Sequence, residues 1–156
     1  MKRGVRFLIP DEKSSDQNIG DILQPIPCGL YKWDIGFTET YCYKENEITN
    51  DSIFGEQDVL DGNELERLVN DQTYLAIFVE LKAFPKIATV SDIVDYEDFV
   101  NSECEIVVLL IDCYYVDVYC KDIQLTEDVY HYAQQNGYTN IEYIDENDER
   151  TEMYVW

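Results

Sequence analysis

The amino-acid sequence predicts a single α+β domain over residues 1–156, with helices packed on a mixed, mostly antiparallel sheet. The length of 156 residues is close to the usual size of one domain, and no convincing boundary divides the chain. Apolar residues make up 46% of the chain, which is enough for a substantial core. The apolar pattern also switches repeatedly between the two-residue period of strands and the longer period of helices.

The chain begins with a predicted strand and a predicted helix. Apolar residues alternate along the backbone over residues 5–9, and Pro10 ends that strand. Residues 17–24 then fit a short helix that stops at Pro25.

A hairpin and a long connection are predicted next. Residues 31–35 and 41–44 alternate on either side of Gly36, which is typical of two strands joined by a turn. The acidic residues 45–60 show no periodicity, so we expect an irregular and mobile connection there.

The middle of the chain contains a capping signal and two apolar runs. Asp61 followed by Glu64 has the form of a capping box at the start of a helix. Residues 73–81 and 105–111 are nearly continuous apolar strands, which predicts central positions buried on both faces of the sheet.

Two further helices and two closing strands complete the prediction. Ser91 is the expected cap of a helix between the apolar strands, whose inward face would carry Ile93, Tyr96 and Val100. Thr126 is the expected cap of a last helix that ends at Gly137. Residues 141–144 and 153–156 read as closing strands around an acidic loop.

The order of these elements suggests a topology. From residue 73 onward it is β-α-β-β-α-β, the order of ferredoxin-like units, so the C-terminal part is a candidate for that arrangement. Residues 4–81 fit the same order, which would give two similar halves around one sheet.

The charge excludes several classes of partner. The chain has 33 acidic and 11 basic residues and a formal net charge of −22. Residues 87–156 hold 17 acids but only two bases. Nucleic acids and anionic membranes are therefore not expected to bind, and basic proteins are the favoured partners. The longest apolar run, residues 106–111, is far too short to cross a bilayer, so we expect a cytoplasmic protein.

Catalytic signatures are missing from the sequence. The five cysteines form no CxxC pair, and structural thiols are the expected role. His131 is expected on the exposed side of the last helix. The acidic loop that follows residue 144 lacks the glycine and glutamate of a calcium loop. We therefore expect no catalytic residue, no metal and no cofactor, and a protein that is not an enzyme.

The clearest candidate site is a tyrosine-rich face next to acidic side chains. On the strand over residues 114–120, one face would carry Tyr115, Asp117 and Tyr119, opposite the core. Tyrosine supplies broad contact area and acids select a basic partner. The same pattern also fits a second covered face, in which case Tyr115 and Tyr119 are core residues. The predicted partner-binding set adds the acidic loop residues Asp145, Glu146, Asp148 and Glu149.

Three functions follow from these features. The first is an acidic interaction module of immunity or inhibitor type, which binds a basic partner such as a toxin or nuclease domain and is a monomer or weak homodimer. The second is a small enzyme that uses carboxylates and tyrosine. The third is a DNA mimic, since duplex DNA carries 22 charges over about 37 Å and this domain is about 40 Å across.

Four segments of the sequence are similar to a known family. They are MKRGVRFLIP at the start, LKAFP at 81–85, SECEIVVLLIDCYYVDVYCKD at 102–122 and ENDERTEMYVW at the end. Together they resemble small acidic proteins of unknown function from spore-forming Gram-positive bacteria. The resemblance implies a bacterial, cytosolic, single-domain protein, and it carries over no catalytic or binding residue.

Overall fold

A computed structural model describes residues 1–155 and shows one antiparallel sheet with four helices. The strands are β1 (Gly4–Leu8), β2 (Tyr31–Lys44), β3 (Glu47–Ile48), β4 (Val59–Asp61), β5 (Tyr74–Pro85), β6 (Ile106–Ile111), β7 (Tyr115–Cys120) and β8 (Thr139–Ile144). The helices are α1 (Asn18–Leu23), α2 (Gly62–Asn70), α3 (Tyr96–Asn101) and α4 (Ile123–Gln135). The strand order is β3-β2-β5-β6-β7-β1-β8, and β4 also pairs with β2. The α+β class is confirmed.

The ferredoxin-like order is present along the chain, but only half of it is present in the sheet. Both β7 and β8 are antiparallel to β1, which lies between them, so β7, α4 and β8 form a split βαβ unit. In contrast, β5 and β6 are direct antiparallel neighbours. The ferredoxin-like arrangement is wrong for that pair, because the connection containing α3 does not carry the chain to a parallel strand.

The strand β2 is continuous, so the predicted hairpin around Gly36 is wrong. At that point Gly36 and Phe37 lie opposite the single residue Glu80 of β5, which is a β-bulge and not a turn. The chain reverses later, at Glu45 and Asn46, which both have positive φ angles (52° and 67°) as a tight hairpin turn requires.

The connection over residues 45–60 is irregular as predicted, apart from β3 and the start of β4, but it is anchored to the domain. Ile53 and Phe54 are both buried in the core. The backbone N–H of Ile53 also donates a hydrogen bond to the Thr40 hydroxyl, at 3.3 Å.

Aspartates cap three of the four helices. Asp61 caps α2 as predicted, with its carboxylate accepting from the Asn63 N–H. Asp95, and not Ser91, caps α3. Asp122, and not Thr126, caps α4, because its carboxylate accepts two backbone N–H groups at 2.8 and 3.1 Å. Each aspartate is the last extended residue before its helix, which is the position that side-chain capping requires.

The C-terminal segment, residues 145–155, crosses one face of the sheet without forming a strand. A single bridge joins Glu152 to Asp95, and the Met153 N–H donates to the Val94 carbonyl at 2.9 Å. The predicted closing strand over residues 153–156 is therefore wrong for its described part, and Trp156 lies outside the described residues.

The sheet has a core on each face. The larger core lies under α1, α2 and α4 and includes Trp33 and Leu65. The smaller core lies under α3 and the C-terminal segment and includes Phe99 and Met153; this side is called the α3 face. Between the two, β6 is buried at all but its last residue, as its apolar sequence predicts. Within residues 1–155, no helix has the length and apolar character that a bilayer span requires.

Candidate functional site

The predicted tyrosine face of β7 is partly covered. Tyr115, Asp117 and Tyr119 do lie on the α3 face, opposite the larger core. However, Tyr119 is 1% exposed and Asp117 is 3% exposed, because α3 and the C-terminal segment pack over them. The prediction of an open face is wrong for these two residues, and the alternative of a second core holds for Tyr119. Tyr115 remains 53% exposed.

Asp117 is held by an arginine from the neighbouring strand. The Arg6 guanidinium binds both oxygens of the Asp117 carboxylate, at 2.7 and 3.0 Å. Its other terminal nitrogen donates to Asp148 at 2.5 Å. Hydrogen bonding to Asp117 raises the pKa of Arg6. These ion pairs fix the C-terminal segment to β1 and β7, so Asp117 and Asp148 are not available to a partner.

The other acids of the predicted loop are more open. The Asp145 carboxylate accepts the backbone N–H of Asn147 at 2.8 Å and is half-buried. Glu146 and Glu149 are exposed. Two carboxylates of the loop, Glu146 and Glu149, are therefore exposed, whereas Asp145 and Asp148 stabilise the conformation of the loop.

Tyr115 belongs to a row of apolar side chains that crosses five strands at the uncovered end of the α3 face. This aromatic row consists of Leu8, Phe37, Phe78, Ile111 and Tyr115. Tyr115 pairs with Leu8 on one side and with Ile111 on the other. The rings of Phe37 and Phe78 lie 6.3 Å apart. Phe37 is 46% exposed and forms one end of the row, so the row presents an aromatic ring to solvent there and another at Tyr115, next to its other end.

Acidic side chains border the aromatic row. Glu39 pairs with Phe78 in the sheet, and Asp112 lies in the turn between β6 and β7. Burial raises the pKa of the Cys113 thiol in that turn, and the negative charges of Asp112 and Glu39 raise it further. At the other end, Glu142 shares a recess of about 250 Å³ with Leu8 and Tyr115.

An acidic cleft continues the site beyond Phe37. This Glu80 cleft has a volume of about 500 Å³, and its charged and phenolic lining residues are Asp34, Glu80, Lys82, Asp92 and Tyr154. Three carboxylates against one ammonium leave it with an excess of two negative charges. It is therefore suited to a cationic group.

The buried pair in this cleft also holds the local backbone. The Glu80 carboxylate accepts the N–H of Phe37 at 3.2 Å and the N–H of Val155 at 2.9 Å. The Lys82 ammonium lies 4.0 Å from it and donates to the Ile93 carbonyl at 2.8 Å. Glu80 therefore joins the bulge of β2 to the C-terminal segment, and it fixes the position of the aromatic row relative to the cleft.

The surroundings of Asp34 in the cleft change its pKa. Partial burial raises its pKa above the ordinary value, Lys82 opposes this rise, and the nearby Asp92, Asp58 and Glu80 add to it. Its charged form is thus only partly compensated, and a cation bound in the cleft would complete the compensation.

Most of the cysteines are buried, whereas the histidine is exposed. Cys28, Cys42, Cys104 and Cys120 are buried. Burial raises the pKa of Cys28, Cys104 and Cys120 to about 12, so those thiols stay protonated near neutral pH. His131 is exposed on α4, where the helical pattern predicts it. Among residues 1–155, no three His, Cys, Asp or Glu side chains are grouped so that they could hold a metal ion.

A family described as "Protein of unknown function (DUF2691)" matches residues 2–154 of the chain. The chain belongs to this family. It is also 37% identical over 156 residues to the "Uncharacterized protein YncE" of Bacillus subtilis (strain 168), an alignment that covers 99% of this chain and 100% of the relative. That organism agrees with the Gram-positive origin that the resemblance implies. No solved structure is significantly similar to the chain.

Sequence reasoning found one end of the site in this DUF2691 protein and missed the other. Tyr115 was predicted, whereas Phe37, Phe78 and Asp34 were not. The available signal was Gly36, because a glycine inside an alternating strand often marks a bulge, and a bulge redirects the next side chain. Because Gly36 was interpreted as a turn, the position of Phe37 on this face was not predicted.

Proposed function

We propose that the protein is an interaction module that binds a basic protein segment across the aromatic row and the Glu80 cleft. The aromatic row would receive an apolar side chain of the partner, and the cleft would receive a lysine or arginine. The observation that carries the proposal is the pair of exposed aromatic side chains, Phe37 and Tyr115, in a row whose other members are half-buried and which carboxylates border. Aromatic side chains are the usual anchors of protein interfaces.

The dimensions of the surface support a protein partner. The row crosses five strands, which corresponds to about 19 Å at the usual strand spacing. The cleft adjoins the row on the same face, where residues of β2 and β5 meet the C-terminal segment. A surface of this length is large enough to form the central part of a standard protein interface.

The charge supports a basic partner. Within residues 1–155, nine carboxylates lie within 4.0 Å of a basic nitrogen, out of 33 acids in the chain. The excess negative field would speed the approach of a basic domain, such as a nuclease or toxin domain, and repel acidic competitors. This fits an immunity or inhibitor role.

The proposal is tested by photo-crosslinking with matched positions. Benzoylphenylalanine is placed at position 115 in one variant and at position 87 in another, since Ile87 is also apolar and fully exposed but lies outside the row. In a Bacillus lysate, the position 115 variant should crosslink to a basic protein, in amounts that fall as salt rises. The position 87 variant should not crosslink to that protein.

The crosslinked protein then provides a quantitative test. Tyr115→Ser and Phe37→Ser should each weaken its binding by about tenfold or more, the usual effect of losing an aromatic anchor, while Ile87→Ser leaves binding unchanged. Equal crosslinking at positions 115 and 87, or an affinity that Tyr115→Ser does not alter, would contradict the proposal.

A further inference from the structure

A second surface differs from the acidic site in composition, because it combines apolar and basic side chains. It lies between α3 and the start of α4 and is called the Arg3 groove, after the residue at its edge. Val100 is 51% exposed and Ile123 is 68% exposed, which is unusual for aliphatic side chains in one place. Two recesses of about 470 and 260 Å³ adjoin there, and both contain Tyr96 and Val100.

Cations border this apolar floor. The Arg3 guanidinium stacks on the Tyr96 ring at 4.0 Å. Within residues 1–155, no carboxylate oxygen lies within 4.0 Å of it, although the chain has three acids for each base. On the other side, the Lys121 ammonium lies 5.2 Å from the Phe99 ring centre and donates to the Ser102 carbonyl at 2.6 Å.

The acids at this groove leave Arg3 accessible to a ligand. The Asp95 carboxylate accepts the Asp98 N–H at 2.8 Å, so it is committed to the cap of α3. Glu97 is exposed at the rim of the larger recess. No hydrogen bond joins the Arg3 side chain to any other part of residues 1–155, so its planar guanidinium offers N–H donors in the geometry that a carboxylate can accept in pairs.

The net charge limits the size of an anionic ligand. A membrane surface or an acidic protein would meet the field of all 22 excess charges. A small ligand is influenced mainly by charges within about 8 Å, because physiological salt screens the rest. At that range the cations of the groove are Arg3, Lys2 and Lys121, and its acids are Asp95 and Glu97. Lys2 is already paired with Glu127 at 2.7 Å, so Arg3 and Lys121 are the cations that a ligand would meet.

We propose that the Arg3 groove binds a small aliphatic carboxylate of medium chain length. Its chain would lie over Val100, Tyr96 and Ile123, and its carboxylate would accept hydrogen bonds from the Arg3 guanidinium. The apolar floor and the single unpaired guanidinium define a ligand with one apolar end and one negative charge. This inference does not depend on the function proposed for the acidic site.

The test is titration calorimetry with dodecanoate below its micelle concentration, together with dodecyltrimethylammonium and with short acidic peptides. We expect one dodecanoate to bind per chain and neither of the other two probes to bind. Arg3→Gln should weaken dodecanoate binding by about tenfold, the usual effect of losing one charge-assisted contact. Lys13→Gln is the matched control, because Lys13 lies over Tyr138 on the opposite face of the sheet, and it should leave the affinity within about twofold.

Backbone NMR shifts supply a second measurement that does not depend on a folded Arg3 variant. In the unmodified protein, dodecanoate should shift the amide signals of Tyr96, Val100 and Ile123. The proposal is overturned if dodecyltrimethylammonium or acidic peptides bind instead, if Arg3→Gln and Lys13→Gln behave alike, or if the shifted signals lie elsewhere.

Discussion

At the scale of single residues, two buried tyrosines differ in their hydrogen bonding. The Tyr74 hydroxyl donates to the Val69 carbonyl at 2.8 Å and accepts the Gly20 N–H at 3.2 Å. The Tyr119 hydroxyl has no hydrogen-bond partner within residues 1–155. Burial raises the pKa of both phenols, so both stay neutral. The two hydroxyls therefore make opposite contributions to stability, because only one of them is compensated for the loss of water.

This contrast gives the first prediction, a pair of phenylalanine substitutions. Tyr74→Phe should lower the free energy of unfolding by about 1–2 kcal/mol, since it leaves a buried N–H and a buried carbonyl without their partner. Tyr119→Phe should change the free energy of unfolding by less than about 0.5 kcal/mol or increase it. Urea unfolding of both variants measures the difference. An equal loss in the two variants would show that the Tyr119 hydroxyl is bonded in solution.

Asp34 gives a second prediction, which concerns pH. Since burial raises its pKa in the folded state, the folded protein binds this proton more tightly than the unfolded chain does. The ionised Asp34 therefore destabilises the fold at neutral pH, and the penalty disappears as the pH falls below the unfolded pKa, which is about 3.9.

Asp34→Asn should consequently raise the free energy of unfolding at pH 7 and leave it close to the unmodified value near pH 4. Asp128→Asn is the control, because Asp128 is exposed on α4 and makes the same change from a carboxylate to an amide. A loss of stability in Asp34→Asn at pH 7 would contradict the sign. A gain would support a binding role, since residues of functional sites often reduce stability.

At the scale of elements, local signals predicted what local interactions determine. The alternation in β1 and β7, the apolar run of β6 and the position of Gly137 after α4 were all predicted, and Gly137 does have a positive φ of 83°. The helix starts at Ser91 and Thr126 were wrong, because serine, threonine and aspartate all fit the capping position. The choice between them depends on where the preceding strand ends. The C-terminal segment was predicted to end in a strand, whereas its contacts with Val94 and Asp95, just before α3, hold it in an irregular conformation.

The cap of α4 gives the third prediction. Asp122→Ala should lower the free energy of unfolding by about 1 kcal/mol, because two N–H groups of the first helical turn lose their acceptor. Asp128→Ala, in the exposed middle of the same helix, should cost less than about 0.5 kcal/mol. Chemical unfolding measures both. If Asp128→Ala were the more destabilising of the two, the start of α4 would have to be reassigned.

At the scale of the whole molecule, the site is assembled from residues far apart in sequence, and this is why the sequence predicted only part of it. Phe37 and Tyr115 are separated by 78 positions in the chain and are joined across the sheet by Phe78 and Ile111. Alternation gives the face on which each residue lies. It does not give the strand order, and it does not show which residues of that face are buried by α3 and the C-terminal segment. Tyr115 and Tyr119 share a face, and only that cover distinguishes them.

The net charge gives the last prediction, in which salt has opposite effects on the fold and on binding. With 33 acids and 11 bases, the folded chain repels itself, and added salt screens that repulsion. Raising NaCl from about 20 mM to about 500 mM should increase the melting temperature by about 3 °C for each kcal/mol of repulsion removed. Sucrose at equal osmolality is the control, because it does not screen charges and should not produce this part of the increase in melting temperature. The same change in salt should weaken binding of a basic partner, because it screens the attraction. Loss of the partner at a salt concentration where the fold is more stable therefore reports on the interface. A melting temperature that falls as NaCl rises would mean that attractive ion pairs, and not self-repulsion, dominate the electrostatics of the domain.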